Sequence, residues 1–177
     1  MKTQGLVLNL ETKLAALLLA EKTFERNRNR FGHYRNTANG HLIGRLGEFA
    51  SFIWLKENGF EPEAAFTDSM QNQLCDIASN VGRIEVKSWN EKHWDDWGRC
   101  VSVSQYASIK KKADLIFWCS VDDFESDTPR VTFRGWCKVD IFEGMAPILT
   151  GKEGRQINNY QLAEDQLSSL DSLKELL

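Results

Sequence analysis

The chain has 177 residues, long enough for one domain with a real core, of which 42% are hydrophobic and 27% charged. No apolar run approaches the roughly 20 residues that cross a bilayer, and the N-terminus lacks a basic lead, apolar run and small-residue cleavage site, so the expectation is a cytoplasmic protein with no membrane partner. A formal net charge of -3 excludes a protein that coats nucleic acid by bulk charge, but not an enzyme acting on it through local basic patches.

Leu8 to Arg30 predicts a helix, because Leu10, Leu14, Leu17 and Leu18 recur at helical spacing with no Gly or Pro inside. It ends in basic residues, Arg26, Arg28, Arg30 and then Arg35, and Phe31 to Gly40 reads as a loop. A second helix is expected from about His41 to Asn58, with Leu42, Leu46, Phe49, Phe52 and Ile53 as its apolar stripe and Gly59 as its stop.

Beyond Phe60 the pattern changes to strands. Leu74 to Ser79 is a short run, Asn80-Val81-Gly82 marks a turn, and Arg83 to Trp89 alternates with β-branched residues. Arg99 to Ser104 is a further strand, Gln105 to Lys112 a short helix with a basic tail, and Asp114 to Val121 an apolar strand buried on both faces. Arg130 to Ile141 predicts another strand after Pro129, and the leucines from Asn159 onward predict closing helices. This order implies one α/β domain with a central mixed β-sheet flanked by helices. Residues 1–40 form its N-terminal helix and basic loop, 41–141 its catalytic core and 142–177 a helical closure.

Cys75, Cys100, Cys119 and Cys137 are widely spaced and never form C-x-x-C. Zinc sites use ligands paired at short spacing, so these read as buried free thiols.

The informative segment is Cys75-Asp76-Ile77-Ala78 followed by Arg83-Ile84-Glu85-Val86-Lys87. Side chains alternate along a strand, so Glu85 and Lys87 project together while Ile84 and Val86 point into a core. A two-residue hairpin loop at Val81-Gly82 pairs Asp76 with Lys87 and Ala78 with Glu85, bringing the charged groups to one face. An odd loop without a bulge would send Asp76 to the other side. Like charges at roughly 4 Å cost on the order of 4 kcal/mol at an effective dielectric near 20, a repulsion that a divalent cation removes. All-oxygen ligation selects Mg2+, with Mn2+ able to substitute. Such an ion polarises a phosphate and lowers the pKa of water, while Lys87 neutralises charge developing on the phosphorus oxygens.

Asp76 followed by Glu85-Val86-Lys87 resembles the PD-(D/E)XK nuclease superfamily, whose restriction-endonuclease-like core carries an acidic residue and then (D/E)-x-K on the next strand. Gly44-Arg45-Leu46-Gly47-Glu48-Phe49-Ala50 is similar to the family's glutamate-bearing first core helix. The usual proline before the first aspartate is Cys75 here. The resemblance implies a Mg2+-dependent endonuclease that hydrolyses DNA, with Asp76, Glu85 and the Val86 carbonyl as metal ligands. It implies that Glu48 acts through the metal or its water, and it sets Gln105 where relatives carry a polar residue near the site. Paired-strand cleavage further implies a homodimer. The alternatives are a non-catalytic nucleic-acid- or protein-binding module that keeps the fold, or an unrelated enzyme with a fortuitous E-x-K.

Several features carry two readings. Glu85 and Lys87 alone could be an exposed ion pair worth under about 1 kcal/mol. Trp89, His93, Trp94 and Trp97 could stack on bases or form the core and rim of an irregular loop. Arg26, Arg28, Arg30 and Arg35, and separately Lys110, Lys111 and Lys112, could contact phosphates or be solvated helix ends.

Overall fold

A computed structural model of the protein describes residues 4–27, 37–67, 75–151 and 156–177. In chain order its elements are β1 (Gln4–Val7), α1 (Leu10–Asn27), α2 (Ala38–Glu57), β2 (Glu63–Ala64), β3 (Ile77–Ser79), β4 (Gly82–Asn90) and α3 (Trp94–Trp97). They continue with β5 (Cys100–Ser102), α4 (Val103–Lys112), β6 (Leu115–Asp122), β7 (Arg130–Lys138), β8 (Ile148–Thr150) and β9 (Ile157–Gln161). Short 3-10 turns join them and close the chain at Leu170–Leu176.

Strand β6 is buried along its whole length except Asp122, as a run without a polar face must be. It lies inside a six-stranded sheet of order β1-β7-β6-β4-β3-β2. β4 and β6 pair in parallel, with α4 inside the connection that a parallel pair requires, while the other neighbours are antiparallel. The mixed α/β sheet expected from the order of elements is therefore present.

Alternate side chains of β6 feed two cores. Leu115, Phe117, Cys119 and Val121 pack with Leu46, Ala50 and Leu55 of α2 and Ile77 and Ile84 of the β3–β4 hairpin. Ile116 and Trp118 face the other way, against Val101, Ile109, Phe142 and Leu162. That second layer includes a small antiparallel sheet, β5-β9-β8.

Several expected boundaries shift for identifiable reasons. Helix α1 begins at Leu10, because residues 4–7 form an edge strand on β7 that the sequence reading missed. Its buried positions are Ala16 and Ala20, so Leu10, Leu14 and Leu18 of the expected stripe stay exposed. Helix α2 starts earlier than expected, at Ala38, where the Thr37 side chain accepts a hydrogen bond from the Gly40 N–H at 3.1 Å. The strand expected over Arg99 to Ser104 stops at Ser102, whose side chain caps α4, and it belongs to the small sheet. β7 gives way at Val139 to a 3-10 turn. The closing helices are instead strand β9 and short 3-10 turns. Leu162, Leu167, Leu170 and Leu173 are buried all the same, so their spacing reported burial rather than helix. No described helix is long and apolar enough to cross a membrane.

Candidate active site

The β3–β4 hairpin sets the first two carboxylates. Ser79 pairs with Gly82, Ala78 with Arg83 and Ile77 with Ile84, so the two-residue loop is Asn80-Val81. The expected pairing, with its loop one residue later, is off by two positions. Gly82, at φ +125°, opens β4 instead of closing the turn, a backbone conformation glycine adopts without strain. Because both loops are even, the faces are unchanged. One step beyond the paired run, Asp76 lies across from Glu85. The Asp76 N–H donates to the Ile84 carbonyl at 3.0 Å, and its Oδ2 accepts from the Val86 N–H at 2.8 Å. Val86, whose carbonyl is the expected ligand, also fixes Asp76 through its N–H, with its side chain in the core.

Helix α2 brings the third carboxylate. A Cβ on Gly47 would lie 1.8 Å from Ser88 Oγ, so glycine lets α2 approach β4 more closely than any other residue could. Glu48 follows directly. Its Oε2 accepts from Arg45 Nη1 at 2.6 Å, and the same guanidinium donates to the Phe66 carbonyl at 3.2 Å and to Thr23 Oγ1 at 2.9 Å. Arg45 therefore ties Glu48 to α1 and to the turn after β2.

Two ammonium groups hold Glu85, which is only 5% exposed. Lys87 Nζ donates to Oε1 at 2.7 Å, and Lys112 Nζ stands 2.6 Å from Oε2. Lys112 arrives there because α4 ends just before β6, and the parallel register sets Leu115 beside Ile84 and Ile116 beside Glu85.

The charges feel one another. Burial pushes the Glu48 carboxyl up to about 8, and Asp76 and Glu85 add to this against the opposing pull of Arg45. Asp76 is pushed up to about 6, by burial first and then by Glu85, with Lys87, the Val86 N–H and Lys112 working against the rise. Burial raises Glu85 too, but Lys87 and Lys112 outweigh it and hold this carboxyl below the usual range. Lys87 resists burial through Glu85, Asp76 and Glu48, which hold its pKa above normal. In the metal-free protein Lys87 is thus held as a charged donor to Glu85.

Three carboxylates with only oxygen donors match a hard divalent cation. Among the described residues no three acidic, histidine or cysteine side chains stand together at coordinating distance. Chain cations already engage two of the acids: Arg45 on Glu48, and Lys87 and Lys112 on Glu85. The all-oxygen chemistry of the three carboxylates is of the kind a hard divalent ion takes, while their spacing in this structure does not form a coordination site.

The other expected site residues lie apart or serve elsewhere. The amide oxygen of Gln105 accepts from the Ser102 N–H at 3.3 Å and closes the capping box of α4. Lys110 pairs with Glu143 at 2.7 Å on the surface, and the carbonyl of Lys111 accepts from Arg83 Nη1 at 3.5 Å. Arg26 is exposed in the last turn of α1, while Arg28, Arg30 and Arg35 lie outside the described residues. Trp94 is buried, with the Arg134 and Arg99 guanidiniums 5.1 Å and 5.5 Å from its ring, which makes it core. All four cysteines are free and buried, as expected.

Arg45 and Lys112 were not assigned to the site from sequence. The i,i+3 spacing of Arg45 and Glu48 was a usable signal. Nothing local links Lys112 to Glu85, a partner reached only through the β4–β6 pairing.

No family model, no characterised protein and no solved structure matches the chain.

Proposed function

We propose that this protein is a Mg2+-dependent nuclease of the PD-(D/E)XK type, hydrolysing DNA phosphodiester bonds endonucleolytically. The observation that carries the reading is that Asp76 and Glu85 face one another across the β3–β4 hairpin, with Lys87 on Glu85 and Glu48 within electrostatic reach.

Asp76 and Glu85 would hold the cation, with Glu48 beside them. A hard divalent ion there supplies Lewis acidity toward a phosphate oxygen and toward water. The Val86 N–H fixes Asp76 by hydrogen bonding one oxygen, which leaves the other to ligate. Lys87, kept protonated by its acidic neighbours, donates to the charge that accumulates on the phosphorus oxygens. Arg45 orients Glu48 while being held itself by the Phe66 carbonyl and by Thr23 Oγ1 of α1. Cleavage of both strands calls for two sites, hence a homodimer.

One observation favours a different reading. Ammonium groups stand at both oxygens of Glu85 and a guanidinium at Glu48, as in a structural charge cluster of a non-catalytic nucleic-acid- or protein-binding module. A cleavage panel separates the two. Plasmid, linear duplex, single strand and four-way junction are incubated with Mg2+ or Mn2+ and with EDTA, using wild type, Lys87→Ala and Asp76→Asn. The nuclease reading expects metal-dependent cutting of at least one DNA, lost in both variants. Absence of cutting in every arm, or cutting undiminished in Lys87→Ala, overturns it.

A further inference from the structure

Glu85 is held by two lysines that make different contacts. Lys87, two positions along the same strand, donates a directed hydrogen bond to Oε1. Lys112 reaches the other oxygen, Oε2, from the end of α4, with its Nζ 2.6 Å away. The Lys112 side chain is a quarter exposed and sits on the last residue of α4, so its ammonium has solvent to move into. The Glu85 carboxylate is 6% exposed and has none.

Resting on the nuclease reading, we propose that Lys112 is a resident counter-ion of the metal site, which neutralises Glu85 Oε2 in the metal-free protein and must leave when a divalent cation binds. The two cations compete for one oxygen, because an ammonium 2.6 Å from Oε2 occupies the space and the charge that a metal would use. Lys87 can stay on Oε1, since its hydrogen bond runs along its own strand. Metal loading is therefore an exchange of cations, which keeps the buried Glu85 charge compensated whether or not metal is present.

The test is Mn2+ binding by titration calorimetry in the absence of DNA, with wild type, Lys112→Met, Lys112→Arg and the surface control Lys110→Met. Lys112→Met is expected to bind Mn2+ about tenfold more tightly, as follows from removing a competing contact worth ~1.4 kcal/mol. Lys112→Arg and Lys110→Met are expected to stay near wild type. A merely structural lysine would weaken the site when removed, so tightening separates the roles. A second measurement needs no variant: reductive methylation of the wild-type chain, read by peptide mass, is expected to label Lys112 faster at saturating Mg2+ and Lys110 equally in both states. Mn2+ affinity in Lys112→Met no tighter than wild type, or Lys112 labelling that Mg2+ leaves unchanged or slows, overturns the inference while wild-type cleavage leaves the nuclease reading intact. A wild type that neither binds Mn2+ nor cuts DNA removes both.

Discussion

Gly47 of α2 and Ser88 of β4 approach so closely that no side chain fits between them: an added Cβ would stand 1.8 Å from Ser88 Oγ and 2.9 Å from its Cβ. This contact fixes the height of α2 above the sheet, and the next residue is Glu48. Gly47→Ala is expected to cost about 1–3 kcal/mol, as overpacking does, and to weaken divalent-ion binding by displacing Glu48. Gly44, in the same helix, has nothing within 4 Å of its added Cβ. Gly44→Ala is therefore expected to be neutral or to stabilise by up to ~1 kcal/mol. Urea denaturation of the two variants checks the opposite signs.

Stability of the metal-free protein should fall as pH rises from about 4.5 to about 8. Glu48 titrates near 4.5 in the unfolded chain and about 8 when folded, so the folded state binds more protons throughout that interval. Asp76 acts in the same direction between 3.8 and about 6. His41, held below 6.5 by burial and by Arg45, acts in the opposite direction. The net loss is on the order of a few kcal/mol at ~1.4 kcal/mol per pKa unit. Denaturation in EDTA at pH 5, 6.5 and 8 should show it, Glu48→Gln should flatten the slope, and saturating Mg2+ should offset the loss at pH 8.

Two ion pairs should differ sharply in worth. Glu85→Gln removes the shared partner of two mostly buried ammonium groups, and a loss of about 3 kcal/mol is expected, as for breaking one side of a buried pair. Asp114 meets Arg83 at 2.8 Å with both side chains more than two-fifths exposed, and Asp114→Asn should cost under about 1 kcal/mol. Thermal unfolding of both variants in EDTA makes the comparison.

Thiol reactivity should report global unfolding. Cys119 and Cys137 are pushed up to about 12 and Cys100 to about 11, in each case first by burial, and Cys75 is raised by burial and by Asp76. A thiol reagent at neutral pH is expected to modify the native protein only at its opening rate, and to count four thiols at once in denaturant.

The parts of this fold legible in sequence were those with a local period. The all-apolar β6 and the Glu85–Lys87 alternation each follow from spacing alone, while the even hairpin loop is a requirement of the converging carboxylates that the structure meets. The hairpin register was legible in parity but not in detail, because Gly82 serves as the first residue of a strand instead of the turn's second position. Strands β1, β8 and β9 are four, three and five residues long, too short for their alternation to stand out, and β9 runs into leucines that imitate a helix. At the site, Glu48, Asp76, Glu85 and Lys87 were read from order along the chain. In sequence Lys112 is only part of a basic helix end, open to a phosphate contact or to solvent, since only the parallel pairing of β4 and β6 brings the end of α4 to Glu85.

The central claim is that Glu48, Asp76 and Glu85 serve one divalent cation. Crystals grown with Mn2+ test it most directly, through anomalous scattering collected near the manganese edge. A single strong peak is expected between the Asp76 and Glu85 carboxylates, with Glu48 beside it. Ordered density for all three side chains with no anomalous peak among them, at Mn2+ concentrations that saturate binding in solution, would contradict it.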